Sequence, residues 1–170
     1  MITAAKVSLV VFLAICLQVI VIGPLSIGGA RGDVVLLVAI AAGLESDAER
    51  GAIVGFAAGL TFDLLLDSPV GLSALSYCLV GYLVGTFQGS VLRSTWWIPV
   101  LGTIIASVIG VVVFATLDLV VGQATVTWDR LPGIVAMVAV VNGLLSRPFR
   151  WALRWALADP TAARDRFFLR

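Results

Sequence analysis

Among the polar side chains that stand inside apolar runs, any chemistry of this chain would start from Asp63, Asp67, Asp118 and Asn142. A carboxylate in such surroundings must pair, accept hydrogen bonds, take up a proton or face water. Asp63 continues a four-residue step set by Gly51, Gly55 and Gly59 in the stretch GAIVGFAAGLTFDLLLDSPVG, and Asp67 adds one step more. On a helix that step drifts by about 40° each time, so Asp63 stays near the Gly59 side. Two readings follow. Asp63 is a proton or ligand site, or it is a polar pin that fixes a helical hairpin through Thr61, Ser73, Ser76 or Tyr77. The pin is the favoured reading. Asp118 reads as an anchor near the outer membrane edge, and Asn142 as an interhelical hydrogen-bonding residue.

Catalytic arrangements are hard to build from the rest. An intramembrane aspartic protease needs two carboxylates close enough to share a proton. Asp63 and Asp67 would point along one helix, and the Gly-x-Gly-Asp pattern is absent. The chain has no histidine, which removes the commonest general base and metal ligand. Cys16 and Cys78 lie within apolar runs without metal or redox spacing and read as small buried hydrophobes. No phosphate loop and no nucleophile constellation occurs. The expectation is a non-enzyme with no cofactor, no metal and no nucleic-acid partner.

The elements that would position these residues are membrane helices. The 170 residues are 61% hydrophobic and only 12% charged, with mean hydropathy +1.11. A soluble domain would be roughly a quarter charged, and a β-barrel would alternate apolar and polar residues. The class is an all-α polytopic membrane protein of about six helices. One transmembrane domain is expected over residues 1–158, with a short cytoplasmic tail at 159–170.

The first helix is expected from Val7 to Leu25, and its apolar run is too long for a signal-peptide core. The second run, Val34 to Leu44, has 11 residues and reaches only about 16 Å. That is half the hydrocarbon thickness, so it extends into its flanks, sits in a thinned bilayer or is shielded by neighbours. Asp33 is placed to cap its N-terminus. The third helix runs from Ala48 or Gly51 to Asp67. Ser68-Pro69-Val70-Gly71 forms the turn, because proline cannot continue the helix and glycine relieves the backbone. The fourth runs from Leu72 to Phe87, the fifth from Ile98 to Val121 and the sixth from Leu131 to Leu145, where Pro148 interrupts the pattern. Tryptophans Trp96 and Trp97 mark an interface.

Six spans put both termini on one side. With the N-terminus inside, Lys6, Arg50, Arg93, Arg147, Arg150, Arg154, Arg164, Arg166 and Arg170 are cytoplasmic, and Arg31 and Arg130 are outside. The positive-inside rule therefore favours both termini in the cytoplasm.

Two glycine ladders are the strongest packing signal. Gly51, Gly55 and Gly59 lie on the third helix, and Gly81, Gly85 and Gly89 on the fourth, with Tyr77 and Ser73 on the same row. Small residues let backbones approach where lipid provides no hydrophobic drive. The ladders either pack on each other or offer a face to a partner. Gly102, Ala106 and Gly110 give the fifth helix a small-residue face too. In the segment from Arg147 to Leu157, Arg147, Arg150 and Arg154 fall within about 60° on a helix, beside Trp151 and Trp155. This suits the inner interface, with arginines among anionic lipid headgroups.

The hairpin resembles the rod shape-determining membrane protein family, MreD. The resemblance rests on Gly55-Phe56, Gly59-Leu60, Asp63-Leu64, Pro69-Val70-Gly71-Leu72, Ala74-Leu75, Tyr77, Leu79, Gly81-Tyr82-Leu83 and Gly85, and on Asp33 before a short apolar run. It covers Asp33 to Gly89 well. It departs where Asp67-Ser68 stands at a position that often holds glycine in the family. The resemblance implies a non-enzymatic component of the bacterial cell-elongation machinery in the cytoplasmic membrane. It implies association with the bitopic protein MreC, indirect action with the actin-like MreB, and support of the glycosyltransferase RodA and its transpeptidase partner, a class B penicillin-binding protein. It also implies a six-helix bundle similar to the substrate-binding subunits of energy-coupling-factor vitamin transporters. That fold suggests an alternative, a vitamin-binding subunit whose outward pocket would be lined by Asp63, Asp118, Trp128 and Tyr77.

Overall fold

The shortest helix lies at the centre of the molecule. A computed structural model describes residues 2–24, 32–65, 70–92, 97–122 and 130–157. It has six α-helices and, among the described residues, no strand. They are α1 (Ile2–Leu17, continued by a π-helical turn over Gln18–Ile22), α2 (Val34–Glu45), α3 (Ala48–Asp63), α4 (Leu72–Leu92), α5 (Ile98–Val120) and α6 (Leu131–Leu157). Three stretches are long and apolar enough to cross a membrane: Thr3–Ile22, Ile98–Val120 and Leu131–Leu157. The readings placed on Asp67, Ser68, Pro69, Trp96, Trp128 and the tail at 159–170 fall outside the described residues.

α2 is apolar on every side, as a helix must be to sit wholly inside a bundle. Every residue from Val34 to Leu44 is buried. It packs on all five other helices. Those five form a ring around it, in the order α3, α4, α5, α6, α1, with α1 returning to α3 through a thin contact. The short run is therefore shielded by neighbours, the last of the three ways in which an 11-residue segment could be accommodated.

Several helix boundaries differ from the expected ones, four of them by four residues or more. α1 begins at Ile2 instead of Val7, because Thr3 to Lys6 extend the helix and Lys6 finds a partner on α6. α3 stops at Asp63 instead of Asp67, because the Asp63 carboxylate is taken up by the start of α4. α4 continues past Phe87 to Leu92.

The fourth difference is α6, which runs through Pro148 to Leu157. Proline in a helix interior removes one hydrogen bond and costs about 3 kcal/mol or more. The next two turns offset that cost: Leu153 and Ala156 are fully buried, and Arg150 and Arg154 both reach Glu45. Pro99, near the start of α5, sits where its missing N–H is not needed.

Candidate functional site

The glycine ladders of α3 and α4 face each other and leave no room for side chains. A Cβ at Gly51 would lie 2.5 Å from the Gly81 carbonyl oxygen and 2.8 Å from the Gly43 Cα. One at Gly59 would meet the Ala74 Cα at 2.6 Å, and one at Gly85 the Ala48 Cα at 2.5 Å. At Gly55 it would collide with the Tyr77 carbonyl, and at Gly81 with the Gly51 carbonyl. All these neighbours are backbone atoms, so nothing can rotate away. Gly43 of α2 joins the same junction, with the Gly81 carbonyl 2.6 Å from its would-be Cβ. Three helices thus meet backbone to backbone, gaining dispersion and Cα–H contacts in place of a hydrophobic drive. Gly89 is different: it is exposed, and a Cβ there would meet nothing within 4 Å.

Asp63 is completely buried at the far end of this seam. Its Oδ2 accepts from the backbone N–H groups of Gly71 (2.9 Å), Ser73 (3.1 Å) and Ala74 (3.2 Å). These are orphan donors at the start of α4, which no intrahelical carbonyl can satisfy. A carboxylate there is also favoured by the positive end of the helix dipole. Asp63 thus bonds the end of α3 to the start of α4 through backbone donors, and not through the side chains expected of it. Thr61 donates to the Ala57 carbonyl and Ser76 to that of Leu72. Gly71 has φ +107°, a left-handed conformation open to glycine at little cost. It brings the chain round so that its N–H reaches Asp63. The second oxygen, Oδ1, has no hydrogen-bond partner among the described residues.

A second polar knot ties the same end of α2. Asp33 caps α2, with Oδ1 accepting from the Leu36 N–H at 2.9 Å. Its Oδ2 accepts from the buried Tyr77 hydroxyl at 2.6 Å, which links α2 to α4. Gln18, in the π-helical turn that ends α1, donates to the Gly32 carbonyl at 2.8 Å and accepts from the Val34 N–H at 2.8 Å. π-Turns widen the helix and let a side chain project out of register, and here the projecting amide holds two backbone groups. Gln18 was not singled out from the sequence. A glutamine inside an apolar run was the available signal.

The other end of α2 carries a charge against its dipole. Glu45 closes the helix, where a negative side chain is disfavoured, and only 5% of its side chain is exposed. Arg150 lies 2.6 Å away and Arg154 3.0 Å away. Ser46 returns a hydrogen bond to the Ala42 carbonyl. So two of the three arginines read as headgroup anchors meet a carboxylate of the bundle. Arg147 and Trp151 are exposed. Trp155 stacks beneath the Lys6 ammonium, 4.7 Å from the ring centre, which fastens the start of α1 to the end of α6. Such a cation–π contact contributes about 0.5–1 kcal/mol at an exposed site.

Asn142 donates to the Ser107 hydroxyl at 2.9 Å and joins α6 to α5, in the interhelical role expected of it. Asp118 is buried near the end of α5. Asp63 and Tyr77 are buried and each is committed to a helix start, and a cavity of about 820 Å³ lies elsewhere, between α1 and α3. Among the described residues no group of three or more potential metal ligands occurs. The arrangement holds helices in fixed register.

No curated protein and no solved structure matches the chain. A family model described as rod shape-determining protein MreD matches residues 2–153, a range that takes in the glycine seam, both polar knots and all but the last turn of α6. With that match extending over most of its length, the chain belongs to the rod shape-determining protein MreD family of membrane proteins.

Proposed function

We propose that this chain is a non-enzymatic component of the bacterial cell-elongation complex. It resides in the cytoplasmic membrane as six spans with both termini inside. There it binds transmembrane segments of partner proteins and so supports lateral peptidoglycan synthesis. MreC is the first partner, with a RodA-type glycosyltransferase and a class B penicillin-binding protein next to it and MreB reached indirectly. The role in rod-shape determination comes with the family.

The observation that carries the finer reading is how the polar groups and glycines of the core are spent. Asp33, Asp63, Tyr77 and Gln18 secure helix starts, and five glycines of the two ladders face helix backbone. What remains for recognition is the outer surface of the ring, with large apolar side chains such as Phe12, Phe87 and Leu144. A rigid core with an apolar outer face suits a scaffold for other helices, which contact it by van der Waals packing. Co-purification tests this. The tagged chain, solubilised in gentle detergent, should retain MreC or a wall synthase, and repeated failure to recover either sinks the proposal.

A vitamin-binding role draws no support from these residues. Of its proposed lining, Asp63 and Tyr77 are committed to helix starts and Asp118 is buried, and Trp128 lies outside the described residues. A sharp thermal shift with one member of a vitamin panel would reverse that judgement.

A further inference from the structure

The ring around α2 has one weak seam. α1 and α3 barely touch, and between them runs the groove of about 820 Å³. Val7, Val11 and Ile15 form one wall, and Ile53, Val54 and Ala57 the other. Arg50 stands at one end of the α3 wall and Thr61 at the other.

Length limits what can lie there. The α3 wall runs from Arg50 to Thr61, a rise of about 16 Å at 1.5 Å per residue. On α1 the lining ends at Ile15, and beyond it Gln18 draws the chain onto α2. A spanning helix crosses a hydrocarbon core of about 30 Å. The groove has the depth of one leaflet, so it matches one acyl chain. A long polyprenyl tail would overrun it.

Charge indicates the headgroup. Thr3, Arg50 and Leu157 all line the same end of the groove, where α1 and α3 begin and α6 finishes. Lys6, Arg50 and the three arginines of α6 lie at that end with Glu45, Asp47 and Glu49, so its balance among the described residues is positive even after Glu45 takes up Arg150 and Arg154, and such a face attracts anionic lipid. The Arg50 side chain is 59% exposed, and its guanidinium stands 3.7 Å from Asp47, itself 57% exposed. An exposed pair at that distance is weak. A lipid phosphate offers Arg50 a bidentate, charge-assisted bond instead.

We propose that the α1–α3 groove holds one acyl chain of an anionic glycerophospholipid from the leaflet on the Arg50 side, with the lipid phosphate seated on Arg50. The site would fill the open seam of the ring and tie α1 to the hairpin where their direct contact is thin. It stands independently of any protein partner.

The test uses the full chain in phosphatidylcholine nanodiscs containing a small share of phosphatidylglycerol with a photoactivatable group in its acyl chain. Labelled peptides should map to residues 3–15 and 50–61. Arg50→Gln should lower that labelling roughly tenfold, the worth of one charge-assisted bond, while the thermal transition stays where it was. Ala57→Trp, which fills the groove, should remove it. Label spread evenly over α4, α5 and α6 would overturn the proposal, as would undiminished labelling in Arg50→Gln. Displacement by a polyprenyl phosphate or by a partner transmembrane peptide, but not by unlabelled phosphatidylglycerol, would overturn it too. Because Arg50 is exposed, its variant keeps the question decidable if Ala57→Trp fails to fold.

Discussion

Between α3 and α4 the atoms nearest to a glycine are backbone carbonyls and Cα atoms, whereas around α5 and α6 they are side chains. Gly110 of α5 looks onto the tip of Leu36, with Cδ1 and Cδ2 2.8 Å from a would-be Cβ, and Gly143 of α6 onto Ile104 at 3.1 Å. The first seam is closed by proximity and leaves no adjustable part. The second is closed by movable side chains and by a polar contact between Asn142 and Ser107. Both answer the same condition, that apolar side chains gain little by leaving lipid for one another. The two small-residue faces look alike in sequence. The difference lies in what stands opposite, and it ranks the consequences of substitution.

The largest effect should come from Gly55→Leu. Its Cβ would meet the Tyr77 carbonyl, and separating the helices would forfeit the whole seam. Overpacking alone costs about 1–3 kcal/mol. Loss of membrane level and of complex formation is expected, and normal values for both would remove the seam from the account. Next comes Asp63→Leu, which strands the buried N–H groups of Ser73 and Ala74 and the half-buried one of Gly71, at about 1–3 kcal/mol for each buried group left unsatisfied. Asp63→Asn keeps one acceptor oxygen and should cost clearly less, read as the thermal midpoint in detergent. Equal losses in both would mean that the charge itself is required. The smallest effects sharpen the comparison. Gly110→Ala only displaces the end of Leu36, and Gly89→Ala meets open space. The latter should raise stability by about 0.5–1 kcal/mol, through the lower conformational entropy of the unfolded chain. A large loss from Gly89→Ala would show that a partner helix sits on that position.

Much of this was legible in the residues themselves. Four-residue glycine spacing marks close-packed helices whatever the partner, and Asp33 before an apolar run marks a cap. What was not legible depends on pairings across the chain or on backbone groups. The sequence points to hydroxyls as partners of Asp63, whereas N–H groups at a helix start belong to no residue type. Glu45 gave no sign of its arginines, which lie 105 and 109 residues away in sequence. Pro148 reads as a stop because its local cost is known, while the burial and ion pairs that offset it come from other helices. The burial of α2 itself was one of three open readings, since hydropathy cannot distinguish lipid from protein as the apolar surroundings.

That buried helix carries a consequence for how the protein is made. α2 emerges from the ribosome early, too short to cross a bilayer unaided, and with Glu45 at one end. Both residues that neutralise Glu45 belong to α6, the last helix of the described chain. Until α6 arrives, the carboxylate has no arginine to meet and part of α2 has no cover. Arrival of α6 and closure of the centre are therefore one event. A molecule truncated before Arg150 would present quality-control proteases with an unfinished core, whereas one that includes α6 hides the same carboxylate as that helix docks.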